Sequence, residues 1–395
     1  MKTYFLFFYF LISSSFWGLK FIDSTIIGQI NTVIFFILFF YSLYKRSKIQ
    51  INNNYFSKYL DFFCFFPLLS FIGAFIFFSQ SPLDTIRVWV KTCPIWMLPY
   101  SLIAFRYTKE EIYKAILLYV IGFGVISLLT NFNDGFALMF ADINDDGTFE
   151  MRNGQIRMRI PGDSFIVFSY IYTLFRIINK KSTKFEYIAF IMSIISLYNM
   201  QTRQILLAVA IMTIYICLKD KRTRRYGFLV LILGCIYLIY NFNNIFGDFA
   251  EQTQNELDDK DYNRWKSFEF YYDKITDNIL VFFLGYGQSA NNTEYYKFVN
   301  NLWTKYGIAA QDVGFVGTCY YYGIIYVLYY FRVVYIIGWK MRNKISSEIS
   351  MFILCTFLYC IFIFPFTEDS FRAILWSLIF YIIIIEKNRI KLKQT

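Results

Sequence analysis

Four arginines and one aspartate carry the charge in this chain that could do chemistry: Arg157, Arg159, Arg203, Arg264 and Asp312. Arg157 and Arg159 lead into Ile160-Pro161-Gly162-Asp163, where Pro and Gly mark a turn that aims basic side chains at the start of an apolar run. Arg203 sits in Gln201-Thr202-Arg203-Gln204, a tight connection between two apolar runs. Arg264 sits in Asp261-Tyr262-Asn263-Arg264-Trp265, inside the one long polar stretch of the sequence, residues 241–312. A guanidinium is always charged and presents a planar fork of donors that suits phosphate oxygens. Two readings of Arg203 are open: a cation snorkelling to a membrane interface, or a fixed cation facing an anionic ligand. Asp312 stands in Gln311-Asp312-Val313-Gly314, where the chain turns apolar again. A helix N-cap or a proton acceptor would each need a carboxylate at that position.

The residue inventory narrows the chemistry further. The chain has no His, which removes the commonest general base and a frequent metal ligand, so a proton must move through a carboxylate, Tyr, Lys or the substrate. The 7 Cys all lie in or beside apolar runs without zinc-type spacing, and read as small packing residues. The sequence has no Gly-rich phosphate loop and no Ser-His-Asp set, and no basic aromatic module points to nucleic acid. Asp142-Ile143-Asn144-Asp145-Asp146-Gly147 follows the first half of a calcium loop, but Asn153 holds the twelfth place where a bidentate Glu is needed. A solvated acidic turn is the competing reading. Asn291-Asn292-Thr293 is a glycosylation sequon that matters only in a secretory pathway.

The elements that position these residues follow from composition. The 395 residues are 57% hydrophobic, 23% aromatic and only 17% charged, with a mean hydropathy of +0.42. Such a chain is an all-α polytopic membrane protein. A helix needs roughly 20 apolar residues to cross the bilayer core, and on that ruler the sequence predicts about 12 spans. They lie near 4–20, 25–44, 59–79, 84–105, 112–131, 163–178, 185–201, 204–218, 226–245, 312–337, 348–366 and 373–385. Met1-Lys2 before an apolar run resembles a signal peptide, yet no small-residue cleavage site follows, so it reads as the first span.

The formal charge of +11 is spread in short clusters. The strongest are Lys45 to Lys48, Arg106 to Lys114, Lys180 to Lys184, Lys219 to Arg225, Lys340 to Lys344 and Lys387 to Lys393, which follow the even-numbered spans. By the positive-inside rule both termini and these loops are cytoplasmic, and residues 241–311 form a large exoplasmic loop between spans nine and ten. Residues 1–240 and 312–395 then make the two parts of the transmembrane bundle. Arg152, Arg157, Arg159, Arg203, Arg264 and Arg372 fall on or near the face that should be poor in cations.

Within the large loop, Trp265, Phe268, Tyr272 and Ile275 recur at helical spacing and predict an amphipathic helix lying on the bilayer, with Arg264 at its polar edge. Residues 278–287 are too few to cross and too apolar to hang in water, so they read as a re-entrant or interfacial segment packed on the bundle. Thr367-Glu368-Asp369-Ser370-Phe371-Arg372 reads as a capped turn with a local ion pair.

Arginines around a membrane-embedded cavity would bind a ligand that is both anionic and lipid-borne, such as a lipid-linked phosphate or pyrophosphate. They would stabilise charge on a leaving phosphate without a metal. The layout resembles the O-antigen polymerase and O-antigen ligase superfamily of bacterial surface-polysaccharide assembly. The resemblance covers most of the chain as topology and a few short segments as sequence. Arg157 to Gly162, Thr202-Arg203-Gln204-Ile205-Leu206-Leu207 and Asn263-Arg264-Trp265 are similar to the places where that family keeps essential arginines. Gln311-Asp312-Val313-Gly314, followed by Tyr322-Gly323, is similar to the segment where the ligases carry His-Asn, an interval and Gly-x-x-Gly. Here Asp stands for the His and Tyr326 for the second Gly, a departure that favours polymerase over ligase.

The resemblance implies a GT-C-like glycosyltransferase of the bacterial inner membrane, joining undecaprenyl-pyrophosphate-linked repeat units of O-antigen or capsule on the exoplasmic side. It implies Arg203 and Arg264 as pyrophosphate contacts, Arg157 and Arg159 as supports, and Asp312 as the group that orients or deprotonates the acceptor. The implied partners are the undecaprenyl-pyrophosphate-linked oligosaccharide, membrane lipid and a chain-length regulator protein, with no cofactor and no metal. A ligase transferring finished glycan to a lipid or protein acceptor is the alternative within the superfamily. A lipid-linked oligosaccharide flippase is the alternative from another class, with Arg87 and Lys91 as its evidence.

Overall fold

The computed structural model describes residues 1–19, 24–48, 55–131, 151–152, 155–156, 162–200, 202–219, 223–225, 263–360, 363 and 370–392. Arg157, Arg159, the acidic segment 142–150 and the first part of the polar stretch lie outside them. The described chain is helical, apart from a two-residue antiparallel pair, β1 (Met151–Arg152) with β2 (Gln155–Ile156).

The first half of the chain contributes α1 (Lys2–Ser13), α2 (Ser24–Lys48), α3 (Tyr55–Phe65), α4 (Phe71–Phe78), α5 (Pro82–Thr92), α6 (Leu98–Ala104) and α7 (Lys109–Asn131). The middle contributes α8 (Asp163–Ile178), α9 (Lys184–Met200) and α10 (Arg203–Lys219). The remainder contributes α11 (Asn263–Thr276), α12 (Ile279–Leu284), α13 (Glu294–Tyr306), α14 (Gly314–Val334), α15 (Ser347–Tyr359) and α16 (Ser370–Leu392). Among the described residues, 4 stretches are long and apolar enough to cross a membrane: Ile26–Arg46, Phe56–Phe78, Lys109–Thr130 and Ala310–Lys340. Lys2–Ser13, Gln204–Lys219 and Ser347–Tyr359 are shorter apolar helices.

Local chemistry explains where helices stop short of the predicted spans. The first predicted span, 4–20, breaks at its serine run. The Ser14 hydroxyl donates to the Leu11 carbonyl and accepts from the Trp17 N–H, so the backbone turns through positive φ at Phe16 and Trp17. The fourth predicted span divides into α5 and α6 because Pro94 opens a 3-10 turn, Cys93–Met97, between them. Pro67 does the same between α3 and α4, where the turn Phe66–Ser70 keeps the two helices in one run.

Packing then sorts the helix ends into two groups. The start of α7, the end of α8, the start of α9, the end of α10 and the start of α15 line one common cavity through Lys109, Arg176, Glu186, Lys219 and Glu348. The end of α16 joins them, since Glu386 accepts from Lys109 at 2.7 Å and from the Ser346 N–H at 3.1 Å. The turn that follows α14 leads into Ser346 as well. The other ends of these helices, with Asp163, Arg203, Asp312 and Arg372, therefore gather at the opposite end of the bundle.

Candidate functional site

The core of that opposite end is a helix broken on purpose. α14 is interrupted at Gly323, whose φ of 76° and ψ of 168° stop the i to i−4 ladder. The residues after α12 fill the break. Tyr286 N–H donates to the Tyr320 carbonyl at 2.7 Å, and Gly287 N–H donates to the Tyr321 carbonyl at 2.8 Å, so an extended strand of backbone satisfies acceptors that the broken helix leaves open. The approach requires glycine on both sides. A Cβ at Gly323 would overlap the Phe283 carbonyl, and one at Gly285 (φ 77°) would overlap the backbone of Tyr321 and Tyr322.

A second anchor holds the same segment from the connection between α4 and α5. Gln80, only 2% exposed, donates from Nε2 to the Gln288 carbonyl at 3.0 Å and accepts from the Ala290 N–H at 2.8 Å. Tyr295 of α13 donates to the Gly287 carbonyl at 2.8 Å and stacks on Phe78 at 3.9 Å between ring centroids. Burial holds the Tyr295 phenol well above the usual tyrosine range. Residues 278–287 thus meet the bundle through Val281, Tyr286 and the backbone of Gly285 to Gly287, while Ile279, Phe282 and Phe283 keep their side chains exposed.

α11 is a helix, as its spacing predicts, and most of the apolar stripe expected to lie on the bilayer is turned away from the bundle. Ser267, Tyr271 and Ile275 face the bundle, with Tyr271 meeting Tyr320 edge-on at 4.7 Å, while Trp265, Phe268 and Tyr272 face outward. Of the four residues of the predicted stripe, only Ile275 is buried in the protein. The helix stands against α14 because the small Ser267 permits close approach, and its Oγ accepts from the Ala309 N–H at 3.1 Å. Arg264, half-exposed, lies one turn before that contact, and Asp312 lies three residues after it.

Asp312 occupies a 3-10 turn, Ala310–Val313, with its N–H on the Ala309 carbonyl at 3.2 Å. Val313, not Asp312, holds the N-cap position of α14, so the capping reading of this carboxylate does not hold. Arg203 is the first residue of α10 and Arg264 the second of α11. One hydrogen bond, Ala309 N–H to Ser267 Oγ, therefore joins the helix that carries Arg264 to the turn that carries Asp312, and α10 begins with Arg203 at the same end of the bundle.

One pair at this end escaped sequence reasoning. Arg372 of α16 grips Asp163 of α8 with two hydrogen bonds, Nε to Oδ1 at 3.1 Å and Nη2 to Oδ2 at 2.7 Å. The local ion pair expected within the 367–372 turn involves Glu368 and Asp369, which lie outside the described residues. Asp163 is 7% exposed, so the desolvated carboxylate demands a cation and finds it 209 residues away. An exposed ion pair with Asp84 at 2.8 Å accounts for Arg87, one of the two cations that spoke for a transporter.

No cluster that could hold a metal ion occurs among the described residues. Many of the rings that might stack on a sugar are spent on packing: Tyr271, Tyr295 and Tyr320 are fully buried, whereas Trp265, Trp303 and Tyr306 remain exposed around the same end. A shallow hollow of 700 Å³ between α11 and α13, lined by Lys266, Glu269, Asp273, Lys305 and Tyr306, adjoins the Arg264 helix. Compared with known proteins, the chain matches no protein-family model and no curated protein.

Proposed function

We propose that the chain is a GT-C-type membrane glycosyltransferase of about 12 spans that polymerises undecaprenyl-pyrophosphate-linked repeat units on the exoplasmic face of a bacterial inner membrane. The observation that carries this reading is the position of its two best arginines. Arg203 and Arg264 both sit in the first turn of a helix. There the macrodipole disfavours a cation by about 0.3–1 kcal/mol and favours an anion, so a guanidinium placed among the free N–H donors makes physical sense when a phosphate joins it.

In the proposed reaction the bond between the anomeric carbon and the pyrophosphate oxygen of the donor breaks, and a glycosidic bond to the acceptor hydroxyl forms. Arg203 and Arg264, with Arg157 and Arg159 as supports, take up the charge released on the pyrophosphate. Asp312 accepts the hydroxyl proton. Its turn is joined to the Arg264 helix by the Ser267–Ala309 hydrogen bond, which supports one shared centre for donor and acceptor. The basic loops put both termini in the cytoplasm, and a chain-length regulator would act as a partner.

The test is the pattern of surface polysaccharide in cells. Arg203→Ala or Arg264→Ala should remove long chains and leave single repeat units on the carrier. A normal ladder of chain lengths in both variants would refute the assignment, and accumulation of full-length polymer on the lipid carrier would move the protein to the ligases.

A further inference from the structure

We infer that the cavity at the basic end of the bundle binds the headgroup of an anionic phospholipid. It measures 720 Å³ and opens between α7, α8, α9, α10 and the start of α15, far from Arg203 and Asp312. Its wall carries Lys109, Lys114, Arg176, Lys181 and Lys219 against the carboxylates Glu110, Glu186 and Glu348.

Two of those cations are already engaged. Lys109 bridges Glu348 at 3.0 Å and Glu386 at 2.7 Å, and also donates to the Ser346 hydroxyl. Arg176 meets Glu186 at 3.1 Å, and Glu186 further accepts from the Tyr172 hydroxyl at 2.9 Å and the Thr183 N–H at 2.7 Å. Lys114, Lys181 and Lys219 have no ion-pair partner among the described residues. They come from α7, from the turn after α8 and from α10 and line one opening, and among the described residues Glu110 is the cavity carboxylate left to set against them, so positive charge stays in excess.

The rest of the lining decides what kind of anion fits. Leu117, Phe175, Ile178, Phe185 and Ile216 form an apolar wall continuous with the sides of the helices. A soluble phosphate compound has no use for that wall, whereas a phospholipid sets its headgroup among the lysines and runs its acyl chain along the wall. Basic pockets between helices at a membrane face are suited to such lipids. The site stands apart from the proposed polymerase centre, so neither stands or falls with the other.

Native mass spectrometry of the full chain in detergent, titrated with cardiolipin, phosphatidylglycerol or phosphatidylcholine, tests the assignment. Retained adducts are expected for the two anionic lipids and not for phosphatidylcholine. At about 1 kcal/mol per lysine, Lys181→Gln should weaken anionic-lipid binding about fivefold, and the triple change Lys114→Gln, Lys181→Gln, Lys219→Gln about a hundredfold. Lys181 lies exposed in the turn between α8 and α9, so its single variant reads binding even where the triple variant fails to fold. Equal retention of phosphatidylcholine, unchanged binding by Lys181→Gln, or displacement of the lipid by millimolar inorganic pyrophosphate would each overturn the inference.

Discussion

Ser267 and Ala309 are joined by a buried hydrogen bond, Ala309 N–H to Ser267 Oγ at 3.1 Å, and that bond fixes the Arg264 helix against the turn that carries Asp312. Ser267→Ala leaves a buried N–H without an acceptor, at a cost of about 1–3 kcal/mol. Its effect should appear as a lowered melting temperature together with shortened polysaccharide chains. Wild-type chain lengths beside a lowered melting temperature would show that the two groups need no such alignment.

The proposed phosphate clamp calls for the fork of Arg203 and Arg264 as well as their charge. Arg203→Lys and Arg264→Lys keep the cation but lose bidentate contact with phosphate oxygens. Each should lose at least about tenfold in polymer yield, the equivalent of about 1.4 kcal/mol, with protein levels in the membrane unchanged. Full activity of the lysine variants would argue for a diffuse field rather than a phosphate clamp.

Gly323→Ala is expected to be among the most damaging single changes in the chain. The added methyl meets the Phe283 carbonyl and the residue must keep a φ of 76°. Strain of about 1–3 kcal/mol from the dihedral alone adds to the overlap. Membrane extracts should contain little folded protein by fluorescence-detected gel filtration, whereas Gly28→Ala, at a position open on all sides, should behave as wild type.

Arg372 and Asp163 should respond as a structural pair. Removing either one strands a buried charge and should cost about 3–5 kcal/mol, while the double change Asp163→Asn, Arg372→Met should recover much of that loss. A double-mutant cycle on thermal stability reads the coupling. If Arg372 contacted substrate, the double variant would regain stability but not chain extension.

The hydrophobic pattern made the helical membrane class legible, because apolar runs and basic connections are local properties of a sequence. The contact of residues 278–287 with the bundle was legible only in part: Val281 is buried as an apolar segment suggests, but Ile279, Phe282 and Phe283 stay exposed and the hold is made by backbone. The break in α14 was not legible, since Gly323 inside an apolar run looks like any other intramembrane glycine until Phe283 is set against it. The outward apolar face of α11 was legible, since Trp265, Phe268 and Tyr272 recur at the spacing of an amphipathic helix that turns a greasy face to its surroundings; only Ile275 of that stripe is buried in the protein. The partner of Arg372 lay beyond reach, since nothing in residues 367–372 reports a carboxylate 209 positions earlier.

The backbone pairing of Tyr286 and Gly287 with Tyr320 and Tyr321 has a kinetic consequence. Swinging the segment away would strand two carbonyls among apolar side chains, at several kcal/mol each in a medium without water. It therefore behaves as a fixed sill rather than a door. On the proposed function, a lipid-borne substrate would reach the site by passing beside this sill from the bilayer, and not through a gate opened by moving it.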